Sequence, residues 1–125
     1  MKTFRGNCHC KDVAFTIECH AEVDIIKCNC SICFPLDFVH LIIPHKNFKL
    51  LTNNSCLKEY VFETKSASHY FCKNCGIKSF YQPRSHPDCY SINYRSLHKP
   101  PKIRKTINFN GKFFEKGLQE LNKIT

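Results

Sequence analysis

Seven of the ten cysteines in this chain of 125 residues lie in three tight clusters. The first is Cys8-His9-Cys10, the second is the Cys-Asn-Cys-Ser-Ile-Cys segment at 28–33, and the third is Cys72-Lys73-Asn74-Cys75-Gly76. Four thiolates around one zinc ion make a closed structural site, whereas three leave a position for water or substrate. The clusters therefore predict two metal sites, one that stabilises the fold and one that carries out chemistry.

The spacing within the first and third clusters predicts that they share one ion. In a strand, the two side chains of Cys-x-Cys point to the same face. In the third cluster the chain turns sharply, and Gly76 tolerates such a turn. Joining Cys8 and Cys10 to Cys72 and Cys75 closes a long loop. In the chain-entropy model, a metal cross-link stabilises the folded state most when the loop that it closes is long. We therefore expect these four cysteines to hold the structural zinc.

The central cluster, Cys28-x-Cys30-x-x-Cys33, places three thiols where they can cap one face of a second ion. A second structural zinc, completed by a single cysteine or a histidine, is the alternative. The single cysteines are expected to be small apolar core residues rather than ligands; they are Cys19, Cys56 and Cys89. None of the seven histidines has a spacing that demands a metal.

The cysteine content also fits a secreted protein with disulfide bonds. The chain runs from Met1 to Cys8 without an apolar signal stretch. No segment approaches the roughly 18 apolar residues of a membrane span. In a reducing compartment, clustered cysteines usually bind metal or take part in catalysis. We therefore expect a cytoplasmic protein without a membrane segment.

Length and charge limit the domain number and the partners. A chain of 125 residues predicts a single domain over 1–125, here a zinc-binding one. The formal net charge is +9, and eight of the 19 basic side chains lie in residues 95–125. Basic surfaces favour anionic partners. Because these charges are scattered and no DNA-reading motif accompanies them, we expect nucleic-acid binding to be weak and non-specific at most. The sequence leaves the oligomeric state open.

Short β-prone segments separated by turn signals predict a mainly β fold. Seven strands are predicted, at residues 13–17, 37–43, 57–62, 69–71, 78–81, 89–94 and 103–107. Only the segment after Asn110-Gly111 has the apolar periodicity of a helix, with Phe113, Phe114 and Leu118 on one face. A short C-terminal helix is therefore expected.

The cysteine motifs resemble those of the glutathione-dependent formaldehyde-activating enzyme family, which includes centromere protein V. The Ser-Phe-Tyr-Gln-Pro-Arg-Ser-His-Pro segment at 79–87 resembles the centromere protein V branch, and Asn108-Phe109-Asn110-Gly111 resembles the end of the family's sequences. The resemblance extends from about Arg5 to Leu121.

The resemblance implies a β-tent fold of short antiparallel strands with two zinc–thiolate sites. It implies a structural zinc on Cys8, Cys10, Cys72 and Cys75, and a catalytic zinc on Cys28, Cys30 and Cys33. Family members are grouped as carbon–sulfur lyases that join or separate glutathione and formaldehyde as S-hydroxymethylglutathione. We therefore expect an enzyme whose partner is a small-molecule thiol such as glutathione. The alternative is a non-catalytic zinc-binding module for protein or nucleic acid.

Two features near the motifs concern the substrate pocket. Arg84 is a candidate for binding a carboxylate of the thiol, because guanidinium pairs with carboxylate in a bidentate fork. Bracing of a proline-rich loop is the alternative role for Arg84. After the central cluster, Phe34-Pro35-Leu36-Asp37 stands where many relatives have a basic residue and a glycine. This departure predicts an altered pocket beside the second metal.

Overall fold

The computed structural model describes residues 1–62 and 67–110, and it shows ten β-strands, one four-residue α-helix and three short 3-10 helices in that part of the chain. The strands confirm the predicted mainly β fold class. The predicted C-terminal helix falls in residues 111–125, outside the described residues. Among the described residues, no helix has the length and apolar character needed to cross a bilayer. The elements are β1 (Lys2–Asn7), β2 (Ala14–Cys19), β3 (Glu22–Cys28), α1 (Cys33–Leu36), β4 (Val39–Pro44), β5 (Phe48–Leu50), β6 (Leu57–Tyr60), β7 (Ser68–Cys72), β8 (Phe80–Gln82), β9 (Cys89–Asn93) and β10 (Lys102–Phe109).

The strands form two sheets. The smaller sheet has the order β1-β2-β5, and the larger has the order β10-β3-β4-β9-β8-β7-β6. Neighbouring strands in the described part are antiparallel, apart from β10 and β3, which run parallel. The antiparallel pairs agree with the predicted fold of short antiparallel strands, and the parallel pair is an addition to it. It brings Phe109, at the end of β10, beside Cys28 of the central cluster.

The two sheets bury a common apolar core. Because side chains alternate across a strand, each face of the seven-stranded sheet has its own character. On one face Leu41, Ile92 and Phe80 are successive cross-strand neighbours. This face packs against the smaller sheet, where Phe15 and Ile17 are completely buried. The Phe15 and Phe80 rings lie 6.3 Å apart between centroids.

The opposite face of the seven-stranded sheet carries a buried row of polar side chains. Tyr81 on β8 is the cross-strand partner of His69 on one side and of Ser91 on the other. His40 on β4 and Cys28 on β3 continue the row, as the strand registers show. Ser91, His69 and His40 are almost fully buried. Buried polar groups require hydrogen-bond partners or a bound ion, so each side chain in this row needs such a partner.

Gly6 on β1 marks a close approach between β1 and the core. A Cβ atom built at this position would lie 2.5 Å from Cζ of Phe15 and 2.8 Å from the carbonyl oxygen of Ser96. Gly6→Ala is therefore expected to lower the free energy of unfolding by about 1–3 kcal/mol, the usual cost of overpacking. Denaturant unfolding in the presence of zinc measures the change. Thr3→Ala, an exposed substitution on the same strand, is the control. Equal stability of the two variants would contradict this packing.

Candidate metal centres

The first and third cysteine clusters meet in the folded chain. The Sγ atoms of Cys8 and Cys10 lie 3.7 Å apart, and those of Cys10 and Cys72 lie 3.5 Å apart. The Sγ atom of Cys75 completes a group of four that all lie within 4.8 Å of one another. Sulfur atoms bound to a tetrahedral zinc are separated by about 3.7 Å, as Zn–S bonds of about 2.3 Å require. The four thiols thus fit a closed zinc site.

Backbone geometry holds these sulfurs in place. The N–H of Val13 donates to Sγ of Cys8 at 3.3 Å, and the N–H of Cys75 donates to Sγ of Cys72 at 3.4 Å. Gly76 has a φ of 79° and closes the turn with an N–H that donates to the carbonyl of Cys72 at 2.9 Å. Cys8 and Cys10 lie in the loop between β1 and β2 of the smaller sheet, whereas Cys72 is the last residue of β7 in the larger sheet. An ion held here would therefore cross-link the two sheets.

The central cluster forms a tight turn between β3 and α1. Cys28 is the last residue of β3, and Cys33 is the first residue of α1. The N–H of Cys33 donates to Sγ of Cys30 at 3.3 Å, and the N–H of Phe34 donates to the Cys30 carbonyl at 3.0 Å. The turn brings the sulfurs of Cys28 and Cys33 together, whereas Cys30, between them in sequence, is not in the group whose ligand atoms all lie within 4.8 Å of one another.

His40 joins this cluster, and the sequence did not identify it. A ring nitrogen of His40 and the sulfurs of Cys28 and Cys33 all lie within 4.8 Å of one another. Its Nδ1 lies 2.9 Å from Oγ of Ser91 and 3.1 Å from the hydroxyl of Tyr81. Burial, helped by a nearby lysine, lowers the pKa of His40 to about 3. The imidazole is therefore neutral at physiological pH, as a metal ligand must be.

Lys78 places a buried positive charge beside the same cluster. Its Nζ donates to Nδ1 of His69 at 2.7 Å and lies 3.8 Å from the centre of the Tyr81 ring. Burial lowers the Lys78 pKa to about 8, and the nearby thiols, Cys33 foremost, act in the opposite direction. A zinc ion with three thiolates carries a net charge of about −1. The Lys78 ammonium is thus placed to offset that charge.

An open cleft reaches the central cluster. Its volume is about 400 Å³, which lies within the range of small-molecule sites. Cys28 and Cys33 line it, together with the polar side chains of Lys27 and Asn29 and the aromatic ring of Phe38. Among the described residues that line this cleft, none is a cysteine of the first site. We call it the thiol cleft.

Arg84 lies in the connection between β8 and β9, half-buried. It is not among the described residues that line the thiol cleft. The basic side chain that does line it is Lys27, at the end of β3 and next to Cys28. Binding of a substrate carboxylate by Arg84 stays a prediction, and Lys27 is a further candidate for that role.

Two clusters of cysteines with the geometry of metal ligands lie on a mainly β fold. Proteins of this class use such clusters to hold metal ions. The chain belongs to the glutathione-dependent formaldehyde-activating enzyme family, whose model matches residues 3–115. It is also similar to a crystal structure of a Rhodobacter sphaeroides protein, with 29% sequence identity and a TM-score of 0.69. That similarity covers 76% of this chain and 88% of the Rhodobacter protein.

Proposed function

We propose that this protein is a zinc-dependent enzyme of the carbon–sulfur lyase type that acts on a thiol adduct. S-hydroxymethylglutathione, formed from glutathione and formaldehyde, is the adduct that family membership favours. The observation that carries the proposal is that the thiol cleft opens onto Cys28 and Cys33. Burial alone does not separate the two clusters, because Cys8 and Cys72 are buried in the first and Cys33 is buried in the second. The cleft makes the difference: it gives a small molecule access to the central cluster, as catalysis requires.

The donor atoms at both sites fit zinc, because thiolate sulfur is a preferred zinc ligand. We propose that the structural ion is held by Cys8, Cys10, Cys72 and Cys75, and the ion beside the thiol cleft by Cys28, Cys30 and Cys33. Bound zinc supplies a local positive charge that keeps a coordinating thiol deprotonated near neutral pH.

The side chains of the thiol cleft bind and orient the reactants in this proposal. Lys27 supplies a positive charge for a carboxylate of the thiol compound, and Asn29 donates from Nδ2 to Oδ1 of Asn110 at 3.2 Å across the cleft wall. Phe38 excludes water from the inner end, where it is almost fully buried. Holding the thiol and the aldehyde together in this way makes their bimolecular reaction effectively unimolecular, which raises its rate.

The proposed reaction is balanced without a further reactant. In the forming direction, the thiol sulfur bonds to the carbon of formaldehyde while the carbonyl π electrons move to oxygen. The proton that leaves the thiol ends on that oxygen, which gives the hydroxymethyl group. In the cleaving direction the carbon–sulfur bond breaks, the carbonyl re-forms and the sulfur regains the proton. No electron donor or acceptor is needed in either direction.

The direct test uses the zinc-replete chain of 125 residues. We expect it to contain two zinc ions and to form S-hydroxymethylglutathione from formaldehyde and glutathione faster than the spontaneous reaction. Elemental analysis with and without millimolar glutathione determines the metal content, and NMR or absorbance follows the adduct. A chain without zinc and with disulfides would contradict the metal assignment. Absence of acceleration with glutathione and with other cellular thiols would favour the non-catalytic zinc-binding module.

A further inference from the structure

One buried polar atom beside the central cluster lacks a partner. His40 is 4% exposed, and its Nδ1 is engaged by Ser91 and Tyr81. Its Nε2 is fully buried and has no hydrogen-bond partner within the described part of the chain. Buried polar atoms in proteins almost always have such a partner, so an exception requires a physical explanation such as a bound ion.

The strand register explains where the unpartnered nitrogen lies. Ile26 on β3 and His40 on β4 are direct cross-strand partners. Cys28 is two residues beyond Ile26, so its side chain projects from the same face as that of His40. The ring of Phe38, 4.7 Å from that of His40 between centroids, encloses the neighbouring space. A ring nitrogen of His40 and the sulfurs of Cys28 and Cys33 therefore lie together, all within 4.8 Å of one another.

We propose that Nε2 of His40 is the fourth protein ligand of the metal ion that Cys28, Cys30 and Cys33 hold in the thiol-free protein. The hydrogen-bond pattern suits this role. A histidine that binds a metal through one nitrogen almost always donates its other N–H to a fixed acceptor. With Nδ1–H donating to the hydroxyl oxygen of Ser91 or Tyr81, the Nε2 lone pair is left without a partner among the described residues and is free to bind the ion.

The ligation has a consequence for substrate entry. With His40 bound, the second ion has three thiolates and one neutral nitrogen, and its coordination is closed in the resting protein. A thiolate from the cleft would then enter by replacing His40, a neutral ligand that hydrogen bonds keep close by. This consequence rests on the proposed function. The ligation itself does not, and it would stand if the formaldehyde assay showed no activity.

The test is direct detection of the metal–nitrogen bond. The 125-residue chain, produced with ¹¹³Cd in place of zinc and with ¹⁵N-labelled histidine, is studied by long-range ¹H–¹⁵N correlation NMR in the absence of added thiol. We expect two cadmium ions per chain and one imidazole whose Nε2 is split by coupling to ¹¹³Cd, with its proton on Nδ1. Two bound cadmium ions without a coupled imidazole would overturn the proposal, as would a coupled imidazole with its proton on Nε2.

Two substitutions assign the signal. His40→Gln is expected to remove the coupled imidazole and to weaken cadmium binding at one site about tenfold or more in chelator competition. His69→Gln is the matched control, because His69 is equally buried in the same row and has its own partner in Lys78. The control should keep the coupled signal. If the coupled imidazole persists in His40→Gln, another histidine is the ligand and the proposal is wrong. The wild-type spectrum alone decides the question if His40→Gln does not fold.

Discussion

Cys72→Ser is expected to unfold the protein or to leave it insoluble. Cys72 ends β7 in the larger sheet, and its sulfur lies 3.5 Å from that of Cys10 in the loop that follows β1 of the smaller sheet. An ion shared by these clusters joins the two sheets across a long stretch of sequence. Structural zinc contributes on the order of 10 kcal/mol in small zinc peptides. That is comparable with the whole stability of a typical domain, about 5–15 kcal/mol.

Solubility, circular dichroism and zinc content measure this effect. Cys8→Ser should behave in the same way, because Cys8 is 1% exposed and belongs to the same sulfur group. Cys89→Ser is the control, since Cys89 lies on β9 outside both thiol groups. Cys30→Ser should remain folded, because the central turn lies at the open cleft. Similar melting of Cys72→Ser and Cys30→Ser would show that the division into structural and catalytic sites is wrong.

Cys30→Ser is also expected to reduce adduct formation to the spontaneous rate. Cys30 lies between Cys28 and Cys33 in the central turn, and serine removes one of the three thiolate donors of the proposed catalytic site. The measurement is the formaldehyde–glutathione assay on folded, zinc-replete protein. Cys89→Ser again provides the control and should keep the wild-type rate. Acceleration that survives in Cys30→Ser would contradict a catalytic role for the central cluster.

Two further substitutions, studied in the same assay, distinguish effects on substrate binding from effects on turnover. Lys27→Ala is expected to raise KM for glutathione about tenfold with little change in kcat, because it removes a charge-assisted hydrogen bond. Arg84→Ala tests the role predicted from the sequence and should likewise weaken thiol binding more than turnover. Because Lys27 lines the thiol cleft, we expect its substitution to have the larger effect. The opposite order would favour Arg84 as the carboxylate ligand.

Strand prediction succeeded where β-branched and aromatic residues are concentrated. The seven predicted segments correspond to β2, β4 and β6 to β10. The three strands that were not predicted have weaker local signals. β1 is a mostly polar edge strand with a glycine, and β5 has only three residues. β3 carries charged side chains, one of which, Asp24, is neutralised by Arg104 of the adjacent β10 at 2.7 Å.

The spacing of the cysteines alone predicted the pairs within each motif. Cys-x-Cys and Cys-x-x-Cys-Gly are local patterns whose geometry follows from a few backbone angles, so Cys8 lies with Cys10 and Cys72 with Cys75. The structure also brings the two pairs together, which we expected from the long loop that a shared ion would close. Occupation of the group by zinc stays a prediction.

Only the tertiary structure decided what surrounds the central cluster. His40 and Lys78 have no motif around them in the sequence, and His40 is seven residues beyond Cys33. The register between β3 and β4 brings His40 to Cys28, and the fold buries Lys78 among aromatic rings close to the same thiols. Both placements depend on cross-strand pairing and packing between distant segments. Such long-range contacts form only in the assembled sheet, so local sequence patterns cannot contain them.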